Sequence, residues 1–238
     1  MQPTEASPGL VTQGIPSQLH LSNFKLIAFD MDSTLINIEC IDEIADAAGR
    51  KEEVAAITEA AMRGEIADYK QSLRERVALL KGVSVTHLDE VYNHRLQINP
   101  GAEILIQKCK ASGMKVLLVS GGFTFFTDRL RERLGLDFAR SNVLEESDGV
   151  LTGKTVDQPW GDICDGDEKR RTLLEVATLL GISPSECIAV GDGANDLPMM
   201  GVAGLSVAYH AKPAVRENAN VAINTGGLDR LLSLFEDA

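Results

Sequence analysis

No stretch of this 238-residue sequence approaches the ~20 consecutive apolar residues that cross a bilayer. Its opening segment also lacks the basic start and apolar centre of an export signal. No membrane association is therefore expected, and the expected location is cytoplasmic. Cysteine is scarce: Cys40, Cys109, Cys164 and Cys187 are scattered, with no C-x-x-C pair and no Cys/His spacing suited to zinc. Free thiols are expected in place of a disulfide framework. Positive charge is short as well. Lysine and arginine total 23 against 35 aspartates and glutamates, a formal charge of −12, so the chain repels polyanions and is not expected to bind nucleic acid. An anionic small molecule fits that balance only where a metal ion or a few selected cations concentrate positive charge locally.

What is present is an ordinary globular composition, 44% hydrophobic and 24% charged, in a chain long enough to bury a substantial core. Residues 1–23 are rich in Pro, Gly, Ser, Thr and Gln without a hydrophobic period, and are expected to form a flexible or loosely docked arm. Three short apolar runs then end abruptly in polar groups. Lys25-Leu-Ile-Ala-Phe stops at Asp30, Met114–Val119 at Ser120-Gly-Gly, and Cys187–Val190 at Gly191-Asp192-Gly193. That is the pattern of buried parallel strands presenting polar residues at their carboxyl ends. Helical stretches at 101–112, 123–134 and 168–180 separate them, the last closed by Gly181. The alternation predicts an α/β fold with a doubly wound, Rossmann-like, mainly parallel sheet, whose ligands bind beyond the carboxyl ends of the strands. Residues 40–98 interrupt it with a charged, helical pattern, and are expected to form a cap inserted after the first strand, over a core of 24–39 and 99–238. Asp148-Gly149, between β-prone residues, predicts a hairpin.

Each of the three strand ends carries its own chemistry. Asp30-Met31-Asp32-Ser33-Thr34 places two carboxylates two residues apart, so that extended backbone turns both to one side. One could attack while the other moves a proton, and their repulsion calls for a hard cation or a raised pKa. Read alone, the segment serves equally as a turn followed by a helix N-cap. Ser120-Gly121-Gly122 joins a hydroxyl to unobstructed backbone amides, as anion binding at a helix N-terminus requires; alone, it is also a plain small-residue turn. Gly191-Asp192-Gly193-Ala194-Asn195-Asp196 offers the oxygen donors that suit Mg²⁺. Lys169, in the run Asp165-Gly-Asp-Glu-Lys-Arg-Arg, is not distinguished from its basic neighbours by pattern alone.

Taken together, DMDST at 30–34, SGG at 120–122, Lys169 and GDGAND at 191–196 resemble the four motifs of the haloacid-dehalogenase-like phosphatases. ECIDEIADAAG at 39–49, AMRGE at 61–65, SLRERVALLKG at 72–82 and SGGFTFF at 120–126 resemble the phosphoserine-cleaving branch of that family, and the likeness runs from about residue 24 to about 236. The resemblance implies that Asp30 is the nucleophile and Asp32 the general acid and base. It implies Mg²⁺ held by the Asp30 side chain, the Asp32 carbonyl and Asp192, with Asp196 and Asn195 in support. Ser120, Gly121 and Lys169 would bind phosphate oxygens, Asn195 would join the substrate-binding set, Glu39 would meet the substrate ammonium and Arg76 its carboxylate, and Met62 and Tyr69 would line the pocket. The implied reaction is hydrolysis of O-phospho-L-serine to L-serine and phosphate, the closing step of serine synthesis, through an aspartyl-phosphate. The implied partner is that small molecule, and a homodimer is compatible with it.

The chain departs from the family pattern in three places. It is one residue longer between Met62 and Tyr69, it carries a tyrosine hydroxyl where phenylalanine is frequent, and Val156–Asp167 is longer than usual. Three other activities remain open on the residues: phosphoryl transfer from Asp30 to an acceptor alcohol such as homoserine, hydrolysis of another small phosphate ester, and a signalling receiver module. A receiver has no use for Asp32 as a proton donor or for a helical cap. His87, His94 and His210 are expected to be surface or structural residues.

Overall fold

Leu26-Ile27-Ala28-Phe29 has no solvent exposure at any position, because helices cover both faces of the sheet in which it lies. The computed structural model describes residues 3–16, 18–62 and 68–238, the side chains of 58–62 excepted. Its nine strands are β1 (Thr4–Ser7), β2 (Leu10–Thr12), β3 (Leu26–Phe29), β4 (Lys115–Phe123), β5 (Phe138–Ser147), β6 (Val150–Val156), β7 (Cys187–Gly191), β8 (Leu205–Tyr209) and β9 (Val221–Ile223). They form one sheet in the order β1-β2-β9-β8-β7-β3-β4-β5-β6. From β9 to β5 neighbouring strands are parallel, and the antiparallel pairs lie at the two edges. The α/β, mainly parallel, doubly wound architecture read from the sequence is the one found.

Alternation along the strands sorts side chains into two layers. Ile27, Phe29, Val116, Leu118, Ile188 and Val190 pack on one side with α5 (Ala102–Ala111) and α6 (Thr124–Leu134). Leu26, Ala28, Leu117, Val119, Cys187 and Ala189 pack on the other with α7 (Gly166–Leu180). Helix α7 is stopped at both ends by its sequence: the Asp165 side chain accepts from the Glu168 amide at 2.9 Å, and Gly181 takes the left-handed conformation. Because β3 lies between β4 and β7, with Phe29 level with both Leu118 and Val190, their carboxyl ends open side by side into one crevice.

Between β3 and β4 the chain forms α1 (Cys40–Ala47), α2 (Lys51–Met62), α3 (Tyr69–Leu79) and α4 (Thr86–Glu90). Their apolar residues Ile44, Val54, Leu73, Val77 and Leu88 are continuous with the first layer. Arg95 fastens them by bonds to Glu43 at 2.9 Å and Asp46 at 2.6 Å. The insertion also reaches the far sheet edge, where the amide of Gly82 donates to Leu151 in β6 and the amide of Leu151 to Val83, both at 2.8 Å. The remaining helices are α8 (Leu197–Met200) and α9 (Pro213–Asn218).

Two local expectations change. The segment 1–23 does not lie free along its described length: β1 and β2 form a hairpin at Gly9, and Leu10, 1% exposed, pairs with Ile223 of β9. Strands of three and four residues are too short to show a period, so their pairing decides their structure. Ser120-Gly121-Gly122 stays inside β4, and α6 begins only at Thr124. The expected hairpin is present, with Asp148 and Gly149 at positive φ between β5 and β6.

Candidate active site

At the end of β3 the backbone leaves the sheet in a tight loop, Met31–Leu35, with Ser33 at φ 55°. Asp30 accepts from the Met31 amide at 2.7 Å at the start of this irregular turn, Asp32 and Ser33 depart from helical backbone, and no α-helix follows until Cys40, so neither carboxylate caps an α-helix. Both line a cavity of about 290 Å³, together with Ser120, Gly121, Asp192 and Asn195 from the other strand ends, Glu39 from the residue just before the insertion, and Tyr69 and Arg76 from within it. Met62 closes α2, and its side chain lies outside the described residues.

The floor of the cavity is a chain of buried charges. The Lys169 ammonium, fully buried, is 2.7 Å from Asp30 Oδ1 and 2.7 Å from Asp196 Oδ1. It is absent from the cavity lining and supports the nucleophile candidate from beneath. Burial would push its pKa down, but the two carboxylates outweigh that and raise it. Asp196 Oδ2 accepts from the amides of Asp192 and Gly193 at 3.1 and 3.0 Å, so both of its oxygens are engaged by protein donors. The Thr34 hydroxyl donates to Asp192 at 3.1 Å.

Asp30, Asp192 and Asp196 present carboxylate oxygens within 4.8 Å of one another. Burial, followed by repulsion from Asp196, holds Asp30 well above the usual carboxylate range and lifts Asp192 to about 6. Three carboxylates facing one ammonium leave an excess of buried negative charge. Hard oxygen donors in that state suit a divalent cation, and because Asp196 is already engaged, Asp30 and Asp192 are the side chains left to hold it. Asp32 is lifted to about 8, first by burial and then by Glu39, and its Oδ1 is buried without a hydrogen-bond partner. A carboxyl that retains its proton near neutrality is poised to deliver it.

Beside the acids, the Ser120 hydroxyl accepts from the Gly122 amide at 2.8 Å. The glycines are required by proximity. A Cβ on Gly122 would stand 3.2 Å from Asp32 Oδ2, and one on Gly121 1.9 Å from the Tyr69 hydroxyl. Glu39 is fixed by the Ser33 hydroxyl at 2.6 Å, and burial keeps its pKa raised. Arg76 extends from the last turn of α3. Two charged lining residues are not singled out by the sequence. Lys212 follows the run Leu205–Tyr209, a fourth apolar strand ending in polar residues, which was the available signal. Asp42 belongs to the first turn of α1, where an acidic residue reads simply as helix-terminal charge.

The family model for haloacid dehalogenase-like hydrolases matches residues 24–204. A phosphoserine phosphatase of Polaromonas sp. (strain JS666) is 76% identical over 236 residues, covering 99% of this chain and 100% of the relative. One from Albidiferax ferrireducens is 70% identical over the same coverage. Among solved structures, a phospho-aspartyl intermediate analogue of phosphoserine phosphatase superposes with a TM-score of 0.81 at 41% identity, over 90% of this chain and 99% of that one. A substrate-bound phosphoserine phosphatase complex superposes with the same score, identity and coverage.

Proposed function

The chain belongs to the haloacid dehalogenase-like hydrolase family, and from that premise we propose that it hydrolyses O-phospho-L-serine to L-serine and phosphate, with Mg²⁺ as its cation. The observation that carries the reading is the composition of one cavity. Paired aspartates and Ser120 lie at strand ends on its floor, and Glu39, at the entry to the insertion, and Arg76, within it, lie on its wall. That set answers each group of phosphoserine: a phosphoryl dianion, an ammonium and a carboxylate. Relatives that are 70% and 76% identical over their full length carry the same activity in their names.

Asp30 and Asp192, with the carbonyl of Asp32, are the residues to hold Mg²⁺, which when bound offsets the negative charge of carboxylate and phosphate together. Asp30, steadied by Lys169, attacks phosphorus in line as the ester P–O bond breaks. Asp32 gives its proton to the departing serine oxygen. Asp32, now ionised, takes a proton from water, whose oxygen attacks the aspartyl-phosphate and releases phosphate. Ser120, Gly121 and Asn195 hold the phosphoryl oxygens, and Lys169 adds positive charge beneath them. Positioning and charge compensation supply most of the acceleration in such transfers. Glu39 takes the ammonium, and Arg76 takes the carboxylate with the two-pronged geometry that lysine lacks. Tyr69 lines the pocket. Residues 40–98 act as the cap over the core of 24–39 and 99–238, excluding bulk water during turnover. Four cysteines, all buried and unpaired, support a cytoplasmic location.

Phosphate release from L-phosphoserine and a panel of other phosphate esters, with and without Mg²⁺, tests the reading. Selective, cation-dependent release is expected, falling by about 10⁴-fold or more in Asp30→Asn. Equal rates across the panel would overturn the substrate assignment, and a stable phosphoprotein without turnover would overturn hydrolysis itself.

A further inference from the structure

Asn142 on β5 is 1% exposed and has no part in the chemistry above, yet both ends of its amide are committed. Its Nδ2 donates to the Gly121 carbonyl at 2.7 Å, and its Oδ1 accepts from the amide of Cys164 at 2.8 Å. A carbonyl can only accept and an N–H can only donate, so these partners allow the side chain one orientation.

The reason a side chain is needed there lies in the strand register. Val119 pairs with Arg140 and Phe123 with Asn142, so three residues of β4 face a single residue, Ser141, of β5. The bulge carries Ser120-Gly121-Gly122 out of the regular ladder, toward the cavity. Asn142 supplies the Gly121 carbonyl with the donor that the irregular ladder omits. Its other bond reaches the turn at 162–165, which has two further attachments. Asp162 holds Lys70 at 2.8 Å and also Arg74, both on α3, and Asp165 caps α7, the helix that carries Lys169. The space that a Cβ at Gly121 would fill is taken by the Tyr69 hydroxyl of α3, with the Cys164 carbonyl 3.4 Å from it, so the insertion and the turn also crowd this glycine.

We propose that Asn142 is a positioning residue for phosphoryl transfer: it locks the Gly121 peptide so that the Ser120–Gly122 segment faces the phosphoryl group, and joins that segment to the turn that docks the insertion. The inference rests on the phosphatase reading of the cavity. Asn142→Asp keeps the acceptor for Cys164 but sets a carboxylate oxygen against the Gly121 carbonyl. Asn142→Ser is a smaller, neutral truncation that keeps the test open if the first variant does not fold. Ser141→Ala is the control. It stands opposite the same bulge and is buried like Asn142, but its hydroxyl is bonded to Thr127 of α6 at 2.7 Å, whereas the Gly121 carbonyl is bonded by Asn142.

The probes are inorganic phosphate and L-serine, each as a competitor of turnover and each as a ligand that raises the melting temperature in the presence of Mg²⁺. Loss of the lock is expected to weaken phosphate by about tenfold, the equivalent of one lost buried hydrogen bond, with a lower kcat. L-serine, held by Glu39 and Arg76, keeps its affinity, and Ser141→Ala leaves both ligands unchanged. Phosphate affinity equal to that of the wild type in both Asn142 variants, or equal losses for phosphate and L-serine, would overturn the proposal. Failure of the substrate reading is seen separately, as a wild type that binds phosphate but leaves phosphoserine intact. The melting shifts would then still test the lock, and a wild type that binds no phosphate would overturn both.

Discussion

The floor and the wall of the cavity are both built from charged residues, under opposite conditions. On the floor, Asp30, Lys169 and Asp196 have side-chain exposures of 7%, 0% and 0% and are joined at 2.7 Å. Behind the wall, outside the cavity lining, Lys70 and Arg74 of α3 meet Asp162 with side-chain exposures of 32%, 51% and 37%. A buried charge must be compensated or neutralised, whereas water and salt already stabilise an exposed one. The floor is therefore held rigid by an electrostatic requirement that a cation completes. Half-solvated pairs hold the wall weakly enough that substrate can enter and product leave. On the proposed roles, reaction chemistry and substrate choice fall to parts of one pocket with different stability.

The floor is most vulnerable at Lys169. Lys169→Met leaves Asp30 and Asp196 buried without their shared ammonium, and a loss of about 3–5 kcal/mol is expected by urea unfolding of the metal-free protein. A loss within the range of surface substitutions would show that the floor is far wetter than its burial indicates.

Proton uptake sharpens the same point. In the metal-free protein Asp192 titrates near 6 and Asp32 near 8, both raised by burial from the unfolded value of 3.8. Folding therefore binds protons, and this stabilisation is fully present below about pH 4 and is lost as pH rises through about 6 and then about 8. The expected result is a melting temperature that declines between pH 5 and 8.5, and a rise on adding Mg²⁺ that is larger at pH 8 than at pH 5.5. An Mg²⁺ effect independent of pH would contradict the assignment of Asp192 to the cation.

What could be read in advance follows the same division. Asp30, Ser120 and Asp192 were legible because a buried parallel strand gives an unbroken apolar run, and the polar residues that end it mark the crevice. Lys169 was distinguished only by family resemblance. Its partners are 27 and 139 positions away, and nothing in a run of charges at a helix start reveals which one turns inward. Ser120–Gly122 reads from the sequence as a turn leading into a helix from 123, because two glycines suit a turn or a bulge alike, and register against β5 decides between them. Asn142 carries no motif. The unusual length of Val156–Asp167 was visible, but its docking to α3 depends on Lys70, 92 positions from Asp162.

The wall gives the smaller effects. Arg76→Lys keeps the charge but loses the two-pronged contact, and an increase in KM of about tenfold with kcat little changed is expected. Asp162→Asn is the mildest test. It removes the charge that Lys70 and Arg74 share, leaving Lys70 its second ion pair with Asp165 at 3.6 Å and every lining residue in place, and the pair is exposed enough that less than about 1 kcal/mol of stability is at stake. The consequence should be kinetic: a KM for phosphoserine raised a few-fold at low ionic strength, converging on the wild type as salt screens the pair. The folded pKa of Asp162 is lowered, first by its hydrogen bond from Lys70. Its contribution is therefore present above the unfolded value and lost only as pH falls through the folded one, so the difference between variant and wild type should persist across neutral pH. If Asp162→Asn instead lowered kcat as severely as a floor substitution, the wall would be part of the chemistry and the division drawn between the two would not hold.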